Sequence, residues 1–400
     1  MSSDTGSAKS ADPHYEAFTA WSGQQGVRIN GVQAAQISDR GSGIVAQRHI
    51  EAGEELVNVP TSTLLTEDSL PANLKSKFEN LSIHGLLASF LASDYPQLKQ
   101  YKEWAATWPT PNDFRECMPM LWPQSLRTRM HVRDSGKYAC SMLPPAIGCG
   151  DWAHHSLVMF REAVGPGLLR KQEIKFQKDL ETVQQVLPGI SLESYRKDCL
   201  AMCPFADLFN HADEGCDVAF DDIDYTVTAN RAYEPGEEVF VSYGSHSNDF
   251  LLVEYGFVLD SNRWDYVPIH DTLIPDILNH KSQRQKLDRV GYLGNYTLTS
   301  DGVCHRTQVA IRGLILDDKD FRRFVHGQEN FDERDEAQAN EFIATKVLQV
   351  YNWEAEEALQ ALKRVDDIGI QVQKGIMMKR WVQIRNMIQR AHRNYASLPI

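Results

Sequence analysis

From Val27 to Leu65 apolar and polar positions alternate over short runs, VRIN, VQAAQI, GIVAQ and ELVNVP, separated by Gly31, Gly41, Gly43 and Gly53. A period of two bounded by glycine predicts small antiparallel strands and tight turns. The period then lengthens: Leu74, Phe78, Leu81, Leu87, Phe90 and Leu91 fall near a 3.6-residue repeat, which predicts a helix that Pro96 ends. Between Tyr101 and Pro145 the Trp and Pro content predicts helices separated by rigid turns, and Trp152–Val164 and Leu168–Leu187 read as two more helices. Alternation returns in DVAF, YTVTAN and EEVFVSYG, with Pro235-Gly236 as the turn before the last. After Leu259 helix takes over, most clearly over Ala337–Val365 and Gln371–Tyr395.

The order β, α, β, α predicts an α+β protein: a small antiparallel β core, interrupted by a long α-helical insert and followed by an α-helical C-terminal domain. The expected boundaries are a tail over 1–25, in which Tyr15–Trp21 starts a short helix, a first domain over 26–260 (β core 26–70 and 201–260, insert about 71–200) and a helical domain over 261–400. One internal echo supports the interruption. Ala46–Leu56 (AQRHIEAGEEL) aligns without gaps on Ala229–Val239 (ANRAYEPGEEV), so two distant strand-turn-strand pieces share a design and belong to one β domain. In each a glycine, Gly53 or Gly236, permits the tight turn.

Composition narrows the classes. The net charge of −13 repels nucleic acid phosphate and favours basic partners. The 7 cysteines form no paired CxxC array and read as free thiols of a reducing compartment, cytoplasm or nucleus. The Ser/Asp/Lys-rich start has no apolar core, and no run of apolar residues is long enough to span a membrane.

Three motifs carry candidate chemistry. Arg40-Gly41-Ser42-Gly43 lets backbone approach a ligand at the start of a strand; read alone it is a hairpin turn, since it spells neither a dinucleotide fingerprint nor a P-loop. In Asp207-Leu-Phe-Asn210-His211, Asn210 offers a side-chain acceptor and donors and His211 offers backbone groups. Its neighbours Cys199, Cys203 and Cys216 lack paired zinc spacing, and Asp213–Asp224 lacks the EF-hand pattern. In Glu238-Val-Phe-Val-Ser-Tyr243-Gly244, alternation puts Val239, Val241 and Tyr243 on one face, so a phenol ends an apolar row; read alone it is a structural tyrosine that needs a hydrogen-bond partner. Gly244-Ser245-His246-Ser247 is no nucleophile elbow, so hydrolysis fits poorly.

The order of these motifs around a helical insert, with Glu254-Tyr255-Gly256-Phe257 following, resembles the SET-domain protein methyltransferases. The match is nearest the subgroup typified by the Rubisco large-subunit lysine methyltransferase, in which a SET domain with a long insert precedes a helical substrate-binding domain. The resemblance covers roughly 26–260 by motif and 270–400 by helical pattern. It implies an S-adenosylmethionine-dependent protein-lysine N-methyltransferase. Arg40, Gly41, Ser42, Gly43, Asn210, His211 and Tyr243 would surround the cofactor, with Tyr243 as the active-site tyrosine. Asp207, Tyr255 and Phe257 would stand on the substrate side. It also implies a protein partner presenting a lysine, with no nucleic acid or membrane, and the family's knot-like threading.

Such chemistry needs a neutral amine, and at pH ~7.4 lysine is only ~0.1% neutral, a deficit of about 4 kcal/mol that a dehydrated aromatic channel offsets. One segment departs from the subgroup. Ser191–Tyr195 runs almost directly into Arg196–Cys203, where a longer cofactor-side stretch is expected. That departure favours a catalytically inactive SET scaffold binding a protein partner as the alternative from another class; within the chemistry the alternative is protein-histidine methylation. The basic run Lys374–Arg393 reads as the solvated face of a terminal helix with Ile376, Val382, Ile384, Met387 and Ile388 inward.

Overall fold

The glycine-bounded alternating runs become strands in a computed structural model that describes residues 12–148 and 201–395, apart from 38–39, 79–80, 94, 134–135, 271–272, 274–276, 278–280, 328–332 and 367. In chain order these strands are β1 (Arg28–Ile29), β2 (Val32–Ile37), β3 (Gly41–Ala46), β4 (Glu55–Pro60), β5 (Thr128–Arg133), β6 (Gly136–Ser141), β7 (Asn210–Phe220), β8 (Asp224–Thr228) and β9 (Glu238–Val241). The chain divides into two compact units, Met1–Thr110 with Ile174–Ser245, and Pro111–Glu173 with His246–Ile400.

The first unit holds a seven-stranded sheet ordered β1-β4-β8-β7-β9-β3-β2. All its pairings are antiparallel except β7 beside β9, where Asn210 and His211 lie parallel to Phe240 and Val241. β7 shifts register between His211 and Cys216, and Gly215 makes the shift possible: a Cβ there would stand 2.4 Å from the Val241 carbonyl carbon. Ile44, Leu56, Val57, Val59, Val227 and Val239, from four of these strands, belong to one buried core.

The echoed segments prove to be partners of each other. Ile50 and Tyr233 exchange backbone hydrogen bonds of 3.0 Å in both directions. Ala46 N–H donates to the Glu237 carbonyl at 2.9 Å, as Ala229 N–H does to Glu54; Gly236 N–H donates to Ala46 at 2.8 Å, as Gly53 N–H does to Ala229. Each bond has its counterpart 183 residues along, from Ala46 to Ala229, so the two turns are related by a local two-fold. Side chains repeat as well. Arg48 reaches Glu54 and the His49 carbonyl, while Arg231 reaches Glu237 and the Ala232 carbonyl. The shared sequence is therefore one clasp made twice.

One helical expectation holds and one changes. The short helix expected at Tyr15–Trp21 is α1 (Pro13–Gln24), which starts on an Asp12 cap and a first-turn proline and buries Tyr15, Phe18 and Trp21 against the β core. The single helix expected from Leu74 past Phe90 is two, α2 (Ala72–Lys77) and α3 (Ile83–Leu91). Phe78 leaves helical geometry, and the Ser82 side chain caps a fresh start by accepting from Gly85 N–H. A 3.6-residue repeat continues across such a break because both pieces bury the same side.

In the second unit β5 and β6 form a hairpin inside the segment expected to be a helical insert, a correction driven by the cross-strand register Thr128↔Ser141 to Arg133↔Gly136. This unit resumes at His246. Its core gathers Leu252, Ile311, Val347, Tyr351, Leu359, Trp381 and Ile388 from several helices, including Gln349–Arg364 and Gln371–His392. Among the described residues no helix is long and apolar enough to cross a membrane. The helices expected at 152–164 and 168–187 and the shortened stretch at 191–200 lie outside the described residues.

Candidate functional site

Three of the sequence motifs converge in the first unit, and Asn210 is the link. Its Nδ2 donates both hydrogens inward, to the Ser42 carbonyl at 2.9 Å and to Glu238 Oε1 at 2.8 Å. One side chain from the start of β7 therefore ties the turn of β3 to the start of β9. Both donors being spent, Oδ1 is the side-chain group Asn210 offers a ligand, an acceptor suited to a cation. Glu238 also pairs with Arg40 Nη1 at 2.9 Å, and the half-exposed Arg40 side chain lies over the Phe240 ring at 5.9 Å.

The glycines divide their labour. Gly41 has φ +78 and would carry a Cβ into open space, so it shapes the turn and leaves backbone accessible. Gly43 is buried, and a Cβ there would lie 2.6 Å from Ile37 Cγ1 and 2.9 Å from Asn210 Nδ2. It is glycine so that Asn210 can reach the Ser42 carbonyl. From the other side the Tyr15 hydroxyl of α1 holds Ser42 Oγ at 2.8 Å and donates to Gln36 Oε1 at 2.9 Å, and burial raises the phenol's pKa.

Tyr243 ends the row of Val239 and Val241, which are buried, and is itself half-buried against the same core. Its hydroxyl donates to the Phe209 carbonyl at 2.7 Å, and its backbone N–H donates to His211 Nδ1 at 3.0 Å. The buried His211 ring stacks on the Tyr243 ring at 5.0 Å. The phenol thus faces the residue just before Asn210, fixed at both ends. Asp207 sits one turn earlier and accepts from Cys203 N–H at 2.8 Å; desolvation raises its carboxyl above the ordinary range while that N–H works against the rise. Phe205, buried with φ 68, bends the chain into this turn at a cost of about 1–2 kcal/mol.

Arg40, Gly41, Ser42, Gly43, Asn210, His211, Tyr243 and Asp207 all belong to this unit. Tyr255 and Phe257 belong to the second, at and just past the end of the helix Asn248–Tyr255. There the rings of His246, Phe250, Tyr255 and Phe257 follow one another at 4.1, 6.5 and 6.3 Å, and Gly256, at φ 82, turns the chain against Cys117. The basic run of the terminal helix is corrected at one position. Arg380 is fully buried, bonded to Asp249 at 2.7 and 3.0 Å and to Asp265 at 2.6 Å, so it is an internal tie of the second unit. Sequence reading missed Glu238, Phe209 and Tyr15 as site residues. Glu238 had a signal, since the alternation that turns Val239 inward turns Glu238 to the other face; Phe209 acts through its carbonyl and leaves none.

Comparison with known proteins gives two family matches. The SET domain family matches residues 41–244, and the ribosomal lysine N-methyltransferase 2 C-terminal domain matches residues 265–392. Ribosomal lysine N-methyltransferase 2 of Saccharomyces cerevisiae is 27% identical over 63% of this chain and 61% of its own length. Ribosomal lysine N-methyltransferase set11 of Schizosaccharomyces pombe is 30% identical over 43% of this chain and 47% of its own. The match thus spans about three-fifths and one-half of those relatives. A solved structure of Rubisco LSMT bound to AdoMet superposes with a TM-score of 0.53 at 14% identity, covering 97% of this chain and 94% of that one, a likeness of fold.

Proposed function

The chain belongs to the SET-domain family, and from that premise we propose that it is an S-adenosylmethionine-dependent protein-lysine N-methyltransferase. The observation that carries this reading is the Tyr243 hydroxyl held on the Phe209 carbonyl, next to the Asn210 amide that grips the β3 turn. The donor set suits the amino-acid end of such a cofactor: Asn210 Oδ1 for an ammonium, the remaining N–H groups of Arg40 for a carboxylate, and the open backbone at Gly41 for close approach.

When bound, the cofactor supplies a methyl group on a sulfonium, electrophilic without further activation. The chain's own task is to hold a neutral amine in line with it. Tyr243 orients: its proton is committed to Phe209, which leaves the phenol oxygen as an acceptor toward weak C–H or amine donors. The stacked His211 ring and the apolar row behind Tyr243 disfavour an ammonium at that position. Positioning at near-attack distance supplies several kcal/mol more. Asp207, Tyr255 and Phe257 are proposed to hold the substrate, which alanine substitution tests through KM.

The test is transfer from methyl-labelled cofactor to proteins of a cell extract, followed by hydrolysis and identification of the labelled amino acid. Methyl-lysine, with a roughly 10²-fold loss in Tyr243→Phe at unchanged cofactor affinity, is the expected result. Label on histidine would replace the substrate assignment. Cofactor binding with no transfer across many extracts would establish a scaffold instead.

A further inference from the structure

The hairpin of β7 and β8 ends in apolar side chains that nothing on the first unit's described surface explains. Phe220 is 81% exposed and Ile223 73%, with Val218 beside them at 39%. In the β2–β3 ribbon the residue that answers to Phe220 by cross-strand register is Gln36, opposite Ser42 as Phe220 is opposite Tyr225, and it is polar and exposed. The same sheet position is exposed in both, polar in one and a phenylalanine in the other.

The bare tip is rigid. Asp221 Oδ1 accepts from Ile223 N–H at 2.7 Å and Asp224 N–H at 3.0 Å, closing the turn. Thr61 then anchors it, its N–H to the Ile223 carbonyl at 2.9 Å and its hydroxyl to the Asp222 carbonyl at 2.9 Å. A tip fixed this way loses little conformational freedom when something docks on it. Charge says what fits. From Asp207 to Glu238 the sequence holds ten carboxylates and one cation, Arg231, and the exposed Asp217 and Asp222 flank the apolar side chains.

We propose that this hairpin is a docking surface for a Lys/Arg-rich segment of a protein partner that carries an apolar side chain onto Phe220 and Ile223. In the proposed methyltransferase, on which this inference rests, it would hold the protein substrate away from the reacting lysine. Apolar contact gives affinity and the carboxylate rim gives on-rate and selection against acidic chains.

The test uses the full chain without methyl donor and a fluorescein-labelled 12-residue peptide of Lys and Arg with Leu at every third position, read by anisotropy. Binding is expected to weaken at least tenfold in the Phe220→Ser, Ile223→Ser double variant, and to weaken and lose much of its salt dependence in Asp217→Asn, Asp222→Asn. A Gly-for-Leu peptide should bind less tightly. All four side chains are exposed, so melting temperatures should hold. Equal binding by both double variants, equal binding of a Glu-for-Lys/Arg peptide, or self-association abolished by Phe220→Ser would overturn the proposal. The readout is independent of methyl transfer. Peptide binding that follows the expected pattern in a protein that never transfers methyl would sink only the enzyme reading; unchanged KM for a methylated basic protein in the Phe220→Ser, Ile223→Ser variant would sink only the docking surface.

Discussion

Ala46–Leu56 and Ala229–Val239 fold as the same turn, exchange the same backbone hydrogen bonds and each close an arginine–glutamate clasp, yet the chain after the second leads past the end of β9 to Tyr243 where the first reaches Pro60. The strands that lead into the turns differ too: Gly41-Ser42-Gly43 in the first copy stands where Asp224-Tyr225-Thr226 stands in the second. The scaffold is made twice and the candidate chemistry once. What distinguishes the copies is small residues on one strand facing a polar tie, Asn210 and Glu238, on its neighbours. A repeated framework therefore sets where a site can be, and a few non-repeated side chains decide on which side it is.

The largest expected break is at the strand ends. Tyr243→Phe should lower methyl transfer roughly 10²-fold, whereas Pro60→Ala, at the matching position, should leave it within about twofold; single-turnover rates compare them. Next come the strands themselves. Gly43→Ala should cost about 1–3 kcal/mol, because the added Cβ drives into Ile37 and Asn210, while Thr226→Ala, at the equivalent place, removes weak 3.2 Å bonds with Asn58 and Asp224 and should cost about 1 kcal/mol or less. Denaturant midpoints at constant slope read both.

Smaller effects come from the clasps. Arg48→Ala and Arg231→Ala should each lower the melting temperature slightly, Arg48 more, since it also holds Asn30 and sits 2.7 Å from Glu54 against 3.4 Å for Arg231 and Glu237. Arg48 and the Glu51 N–H hold the Glu54 carboxyl down at about 2. The smallest is a pH effect of the first copy alone. His49 bridges Glu51 at 3.1 Å and Glu234 at 3.0 Å, and both hydrogen bonds raise its pKa above the ordinary 6.5; its counterpart is Ala232. A raised histidine stabilises fully below the unfolded value and loses that contribution as pH climbs through the folded one. Melting temperature should therefore fall as pH rises above about 6.5, and His49→Ala should flatten that fall while matching wild type at higher pH.

The β architecture was legible because period two and glycine turns are local signals, and the gapless echo said that the two β segments belong together. That the echoed pieces bond each other was not legible, because pairing partners are a property of topology. Helix breaks at Phe78 and hairpin formation at 128–141 escaped for another reason: one apolar repeat suits several backbone paths. At the site, Asn210, His211 and Tyr243 were legible through a resemblance of motif order, while the sequence could not say that Asn210 would turn both N–H groups inward. Arg380 looked solvated among basic neighbours, and only its two distant aspartates reveal otherwise.

The mutual pairing of residues 50 and 233 also sets a schedule for biosynthesis. At about 5–20 residues per second a ribosome needs about 10–40 seconds to extend the chain from the first clasp to its mate. For that interval the β2–β3 ribbon emerges with an unpaired edge, the kind of surface that chaperones cover. We expect nascent chains arrested before residue 230 to be protease-sensitive over the β3 and β4 strands, and chains arrested well beyond residue 245 to be protected there.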